Sequence, residues 1–187
     1  MRPILVAASV SFIASLVITP YIIRYFRQRG FGQMIREDTT HHAAKAGTPT
    51  MGGAAILLAA LAGWLAARVV GVDVTPTGLL VLGTFSGMGA VGFLDDFIKI
   101  RMKRNLGLSK TAKFGGQALI AVTFAYLGPN FGGISERLSF ASEFGAPMPS
   151  LLFVVWVFFM LTGTSNAVNL TDGLDGLAAG ASVQVLA

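Results

Sequence analysis

Residues 74–94, VTPTGLLVLGTFSGMGAVGFL, contain no charged side chain, and Asp95 and Asp96 follow them directly. A helix needs ~20 residues to cross the ~30 Å hydrocarbon core of a bilayer, so this run is long enough to span it. Backbone groups in lipid must be hydrogen-bonded within the segment, which favours a helix over an open strand. The stretch therefore predicts a transmembrane helix that is followed by a pair of carboxylates.

The rest of the chain has the same apolar character. Of the 187 residues, 53% are hydrophobic and 12% are charged, whereas an ordinary soluble domain has about 25% charged residues. The sequence predicts an all-α, polytopic membrane protein, with residues 1–187 as a single domain of five transmembrane helices and the start of a sixth. The predicted spans are about 3–23, 46–67, 74–94, 114–135 and 148–165, with a truncated sixth helix from about 174.

The basic residues predict the orientation of the chain. Loops 24–45 and 95–113 hold eleven of the fourteen Lys and Arg residues, and the alternation of spans leaves Arg2, Arg68 and Arg137 on the other side. The positive-inside rule then places both loops in the cytoplasm. The net charge of +5 is explained by this topology and by attraction to anionic membrane lipid, so nucleic acid is not an expected partner.

The aspartate pair belongs to the stretch GFLDDFIK, residues 92–99. In one interpretation, the two carboxylates merely end the hydrophobic run. Adjacent like charges repel each other, however, and negative charge near a helix C-terminus opposes the helix dipole. Lys99 lies three and four residues further on, within reach of both side chains if the helix continues. The alternative is a functional site in which Lys99 neutralises a carboxylate or holds a phosphate.

A second acidic stretch, NAVNLTDGLDG, lies at 166–176, after the fifth span and on the predicted cytoplasmic side. Asp172 and Asp175 are three residues apart and would share one face of a helix. Neutral hydrogen-bonding groups in the same turns are Asn166, Asn169 and Thr171. The alternative is a loop that caps the start of a helix, where Asn and Asp are ordinary residues.

A third polar stretch, KAGTPTMGG at 45–53, lies at the mouth of the second span. Pro49 and the glycines predict an extended turn with accessible backbone amides, and Lys45 and Thr50 can donate to an anion. Three stretches on one membrane face thus combine carboxylates, lysines and amides. Because Mg²⁺ is typically held by one or two carboxylates and by substrate phosphates, a site for Mg²⁺ and phosphate is predicted.

The motifs KAGTPTMGG, GFLDDFIK and NAVNLTDGLDGLA, in this order, closely resemble those of the bacterial phospho-N-acetylmuramoyl-pentapeptide transferases, a family of the polyprenyl-phosphate N-acetylhexosamine 1-phosphate transferase superfamily. The resemblance implies an Mg²⁺-dependent, multi-pass enzyme of the bacterial plasma membrane whose active face is cytoplasmic. It would transfer phospho-N-acetylmuramoyl-pentapeptide from its uridine diphosphate carrier to undecaprenyl phosphate and release UMP. This is the first membrane step of peptidoglycan synthesis, which serves the cell wall, cell shape and cell division. A homodimer is one expected assembly.

The resemblance also implies roles for individual residues. The catalytic residues would be Asp95, Asp96 and Lys99, and the two aspartates would also bind the metal. Asp172 and Asp175 would bind both metal and substrate. Further substrate-binding residues would be Lys45, Thr50 and Asn169. Which aspartate holds Mg²⁺, which one acts as a base, and whether a covalent intermediate forms all stay open.

The family has more spans than this sequence, so the chain matches its N-terminal half and is expected to be inactive on its own.

Three alternatives remain beside this function. A related transferase that uses another UDP-N-acetylhexosamine is the alternative within the class. A cation transporter is the alternative from another class, although transporter sites tend to lie near the bilayer midplane. An inactive membrane binding protein is the third.

Overall fold

The structure, a computed structural model, describes residues 1–30, 51–102, 106–138, 145–171 and 177–186. Its helices are α1 (Arg2–Gln28), α2 (Gly53–Val69), α3 (Pro76–Arg101), α4 (Lys110–Phe131), α5 (Ser150–Thr171) and α6 (Leu177–Leu186). Two very short strands, β1 (Arg137–Leu138) and β2 (Ala146–Pro147), pair antiparallel between α4 and α5. The prediction of an all-α fold is confirmed.

Among the described helices, α1, α3 and α5 are long and apolar enough to cross a membrane. Helix α2 is apolar but has 17 residues, which extend about 25 Å at helical rise. Helix α4 is not among these three helices, and its first turns carry the polar residues Lys110, Lys113 and Gln117. The chain is a membrane protein, as predicted. Which residues of each helix lie within the bilayer stays a prediction.

The first of two compact units, Met1–Lys113, contains α1, α2 and α3. Helices α1 and α2 approach closely, since a Cβ atom on Gly63 of α2 would lie 2.6 Å from the main-chain oxygen of Ala7 in α1. Small residues permit such close packing, and close packing is one of the interactions that hold helices together in lipid. Helix α3 meets α2 where a Cβ atom on Gly89 would lie 3.7 Å from the side chain of Leu57. This packing supports the helix that carries the aspartate pair.

The second unit, Phe114–Ala187, contains most of α4 together with α5 and α6. Its core forms where Ala121 and Ala125 of α4 pack with Phe153 and Val157 of α5, and all four residues are buried. The alanines leave room for the larger side chains from α5. The core therefore joins α4 to the helix that carries the Asn166–Thr171 part of the second acidic stretch.

Candidate active site

Helix α3 carries the aspartate pair beyond the end of the apolar run. It begins with Pro76 after Thr75, whose hydroxyl oxygen accepts a hydrogen bond from the Gly78 amide at 3.0 Å. A threonine N-cap followed by proline is a favourable helix start. The helix then continues to Arg101. The two aspartates thus end the apolar run but not the helix.

Lys99 bridges the two carboxylates. Its Nζ atom lies 2.7 Å from Oδ2 of Asp95 and 2.9 Å from Oδ1 of Asp96. These spacings of four and three residues are those at which helical side chains meet. The ammonium group offsets both the repulsion between the carboxylates and their unfavourable place near the helix C-terminus. Hydrogen bonds between charged groups are also roughly twice as strong as neutral ones.

The two carboxylates differ in burial. The side chain of Asp95 is 12% exposed, whereas those of Asp96 and Lys99 are 34% and 33% exposed. Oδ1 of Asp95 also accepts a hydrogen bond from the main-chain amide of Leu108 at 2.9 Å. Asp95 therefore has an internal partner at each oxygen, while Asp96 and Lys99 offer about a third of their surface to a ligand.

Residues 106–109, which we call the 106–109 segment, lie against Asp95. A Cβ atom on Gly107 would lie 2.5 Å from the main-chain oxygen of Asp95 and 2.7 Å from its Cγ atom, so only glycine fits without a shift. The hydroxyl oxygen of Ser109 accepts a hydrogen bond from the Ala112 amide at 3.1 Å, which is the geometry of a helix N-cap. The segment thus connects Asp95 to the first turn of α4.

Basic side chains follow the carboxylate pair along the chain. Arg101 lies in the last turn of α3, and Lys110 and Lys113 lie in the first turn of α4. Together with Lys99, they give this part of the first unit an excess of positive charge among the described residues. Positive charge of this kind attracts anionic ligands.

Large apolar side chains precede the carboxylate pair. Phe93 and Leu94 are 39% and 49% exposed, and the ring of Phe93 stacks on that of Phe97 with 6.3 Å between centroids. Exposed apolar surface therefore continues directly into the charged group on the same helix. A ligand with an anionic head and an apolar chain could contact both.

The Asn166–Thr171 part of the second acidic stretch lies within α5. Asn166 and Asn169 belong to its last two turns, where Asn166 is half-buried and Asn169 is exposed. Nδ2 of Asn166 donates to the main-chain oxygen of Thr162 at 2.8 Å. The helix therefore continues six residues past the predicted end of the fifth span at 165.

A buried amide joins α4 to this part of α5. Gln117 is 1% exposed. Its Nε2 atom donates to the hydroxyl of Ser165 at 3.3 Å, and its Oε1 atom accepts from Nδ2 of Asn166 at 3.3 Å. A polar side chain inside an apolar helix pair needs such partners, because an unpaired amide there is costly. Gln117 thus fixes the position of α5 one turn before Asn169.

We expect Gln117→Leu to destabilise the second unit by about 1–3 kcal/mol, because Asn166 and Ser165 would lose a buried partner. The free energy of unfolding, measured in detergent, should fall by this amount. Gln117→Glu is the companion variant and should be no less destabilising, since an added buried charge would lack a counter-ion among the described neighbours. Equal stability of Gln117→Leu and the unsubstituted protein would contradict a structural role for the amide.

Four of the predicted site residues, Lys45, Thr50, Asp172 and Asp175, lie outside the residues that the structure describes. The structure brings Asp95, Asp96 and Lys99 together in the first unit, and it places Asn169 in the second unit. Within the described ranges, no three His, Cys, Asp or Glu side chains form a group that could hold a metal ion. The described carboxylates would therefore need further ligands to hold one.

Sequence reasoning missed two features of these units. Gly107 and Leu108 contact Asp95 from a position more than ten residues away, and no local pattern predicts that contact. Gln117 carried a signal that could have been used: it is a strong hydrogen-bonding group in a predicted span, and such groups need a partner in a neighbouring helix.

Comparison with known proteins places these residues in a family. Residues 78–187 match the family described as glycosyl transferase family 4, and residues 45–57 match signature 1 of phospho-N-acetylmuramoyl-pentapeptide-transferase. The phospho-N-acetylmuramoyl-pentapeptide-transferase of Saccharopolyspora erythraea is 52% identical, over 100% of this chain and 55% of the relative. The protein of that name from Streptomyces griseus is 48% identical, over 99% of this chain and 54% of the relative.

The chain therefore spans about half the length of the curated relatives it matches. The matched regions contain all three polar stretches, from Lys45 through the Asp95–Asp96 pair to Asp175. The family match covers more than half of the chain and agrees with the resemblance seen in the motifs. The chain belongs to glycosyl transferase family 4.

Proposed function

We propose that this chain forms part of a phospho-N-acetylmuramoyl-pentapeptide transferase. The reaction would be the Mg²⁺-dependent transfer of phospho-N-acetylmuramoyl-pentapeptide from its UDP carrier to undecaprenyl phosphate, with release of UMP. The observation that carries the proposal is the cluster of Asp95, Asp96 and Lys99 at the polar end of an apolar helix. The name of the relatives and the signature at 45–57 support it.

The proposed chemistry needs charge neutralisation more than any other effect. An oxygen of the lipid phosphate attacks the sugar-linked phosphorus, a new phosphorus–oxygen bond forms, and the bond to the UMP oxygen breaks. All reacting groups are anionic, so catalysis depends on cations and on alignment. About a third of the Lys99 side-chain surface is exposed, and its ammonium group already lies within hydrogen-bond distance of both carboxylates. Its ammonium group could donate to a phosphate oxygen from the same place.

The described carboxylates fit Mg²⁺ as a partial ligand set. Mg²⁺ prefers oxygen ligands and usually takes only one or two carboxylates, together with water and substrate phosphates. Asp96, which is 34% exposed, would hold the ion in this proposal, and Asp172 and Asp175 are the further predicted ligands. Bound Mg²⁺ would neutralise charge on the pyrophosphate.

The apolar surface before the aspartate pair suits a lipid substrate. Phe93 and Leu94 are exposed on the same helix as the cluster. A polyprenyl chain could lie along them while its phosphate meets Lys99. A water-soluble nucleotide would approach from the aqueous side, so a site at the end of a span serves both substrates.

The proposed function can be tested in a full-length chimera. In this chimera, residues 1–187 replace the matching part of the Saccharopolyspora erythraea relative. We expect UMP release with UDP-muramoyl-pentapeptide, undecaprenyl phosphate and Mg²⁺, and loss of release with EDTA. Turnover with UDP-N-acetylglucosamine instead would assign the chain to the related branch. Cation uptake by vesicles without any UMP release would favour a transporter.

The proposed orientation gives a separate prediction. The chain has no cysteine, so single cysteines can report on membrane sidedness. Met102→Cys lies at the exposed end of α3, and Arg137→Cys lies at an exposed position in β1. With the carboxylate cluster in the cytoplasm, a membrane-impermeant thiol reagent should label position 137 in intact cells and position 102 only after lysis. The reverse pattern would place the cluster outside the cell.

A further inference from the structure

The polar side chains that join α4 to α5 donate in a fixed direction. Nδ2 of Asn166 lies 2.8 Å from the main-chain oxygen of Thr162, and a carbonyl oxygen can only accept, so the nitrogen of the Asn166 amide must point this way. The group of Gln117 that faces this nitrogen at 3.3 Å is therefore its oxygen, and its own nitrogen is left to donate to the hydroxyl of Ser165. One main-chain carbonyl thus sets the orientation of the buried Gln117 amide.

Helix α5 is little covered beyond these contacts. Residues 167–170 are all exposed, and the helix ends at Thr171. The buried core of the second unit lies further back in α5, at Phe153 and Val157. A terminal turn with few buried contacts opens more easily than a packed one. We therefore expect the last turn of α5 to depend on the hydrogen bonds that Gln117 makes one turn earlier.

We propose that Gln117 is a positioning residue: it ties the last turns of α5 to α4 and thereby holds Asn169 in place for the nucleotide-sugar substrate. Asn169 follows Asn166 by three residues, so the two side chains lie next to each other along α5. Asn169 is exposed and can meet the substrate, whereas Gln117 is buried and acts through it. The catalytic part of this inference rests on the proposed transferase reaction, whereas the tie between the two helices does not.

Substitutions at Gln117 can separate positioning from stability. Leucine makes neither polar contact, so the last turn of α5 would lose its tie. Glutamate can keep both contacts, because one carboxylate oxygen accepts from Asn166 and the Ser165 hydroxyl can turn to donate to the other. A buried charge without a counter-ion is nevertheless costly. Gln117→Glu should therefore retain more activity than Gln117→Leu without being more stable.

Hydrogen exchange tests the tie independently of activity. In the full-length chimera, Gln117→Leu should speed exchange of the main-chain amides of residues 168–171 by at least about 10-fold, because the last turn opens locally. Gln117→Glu should change this exchange by less than about 3-fold. Val157→Ala is the matched control, because it leaves a cavity in the core between α4 and α5 but removes none of the polar contacts. Its exchange at 168–171 should also stay within about 3-fold.

UMP release tests the catalytic consequence. Gln117→Leu should lower kcat/KM for UDP-muramoyl-pentapeptide by about 30-fold, since a displacement of about 1 Å can cost roughly 10²-fold. Gln117→Glu should lose about 3-fold, and Val157→Ala should stay within about 2-fold at a temperature where all variants are folded. In an Asn169→Ala background, Gln117→Leu should cost less than about 3-fold more, because it acts through the side chain that is already missing.

Three results would overturn the proposal. The first is unchanged exchange at residues 168–171 in Gln117→Leu. The second is a loss of turnover in Val157→Ala or Gln117→Glu as large as that in Gln117→Leu, which would show that lost stability alone lowers activity. The third is an undiminished effect of Gln117→Leu in the Asn169→Ala background.

A milder variant decides if Gln117→Leu does not fold. Ser165→Ala removes one of the two contacts and should speed the same exchange by at least about 3-fold, and unchanged exchange would overturn the proposal. An inactive chimera would count against the proposed function, and the exchange rates would still decide the tie between the helices.

Discussion

Asp96→Asn in the full-length chimera should lower kcat for UMP release by about 10²–10³-fold, the scale on which single electrostatic or acid–base groups act. Asp96 is the more exposed member of the pair, and its carboxylate contacts Lys99 at 2.9 Å. Asparagine has nearly the same shape, so the helix should persist while the negative charge is lost. The proposed Mg²⁺ ligand would be lost with it, and the Mg²⁺ concentration needed for half-maximal turnover should rise.

Asp73→Asn is the control for this substitution. Asp73 is an exposed carboxylate before α3, and the same change there should leave kcat within about 2-fold, as for most exposed surface substitutions. Near-normal turnover of Asp96→Asn would return the aspartate pair to the simpler interpretation that it ends an apolar run. A loss of folded protein, seen as aggregation in detergent, would show instead that Asp96 is structural.

The contacts of Lys99 could be predicted because they are local. The spacings of three and four residues place its ammonium group near both carboxylates in any helix that continues past Asp96, and α3 continues to Arg101. The all-α membrane fold followed from composition in the same way, since lipid leaves few choices for an uncharged run. Residue spacing within a helix therefore explains the predicted contacts of Lys99, and the lipid environment explains the predicted all-α fold.

The contacts of Gly107, Leu108 and Gln117 could not be predicted in this way. Leu108 reaches Asp95 through a main-chain amide, which has no side-chain signature, and Gly107 is required by a close approach that exists only in the folded chain. Gln117 of α4 contacts Asn166 of α5, which lies 49 residues further along the chain. Such contacts depend on how distant helices pack. A single sequence does not reveal which residues of two helices lie opposite each other.

The end of α5 shows that hydropathy alone does not locate the end of a helix. The predicted fifth span ends at 165 because polar residues begin there, yet the helix continues to Thr171. Asn166 bonds to the carbonyl of Thr162 and to Gln117, so its polar groups are satisfied without leaving the helix. The start of polar residues therefore does not mark where the backbone stops being helical.

Lys99→Met should have an effect at least as large as that of Asp96→Asn, because it removes the one cation that holds both carboxylates in the described cluster. Asp95 would keep its burial and its bond from Leu108 but lose its counter-ion at 2.7 Å. Loss of one partner from a buried pair costs about 3–5 kcal/mol, and because Lys99 is a third exposed we expect a smaller drop of about 2 kcal/mol in the free energy of unfolding. Turnover should fall by about 10³-fold, since a phosphate-binding cation would be lost together with the alignment of Asp96.

Lys99→Arg separates the two roles of this cation. Arginine keeps the positive charge, so most of the stability should return. Its planar guanidinium group cannot reproduce the compact ammonium geometry between two carboxylates, so turnover should stay at least about 10-fold below that of lysine. Arg24→Met removes an exposed cation from α1, and it should change stability by less than about 0.5 kcal/mol. Full activity in Lys99→Arg would show that any cation suffices there, and full activity in Lys99→Met would remove Lys99 from the proposed mechanism.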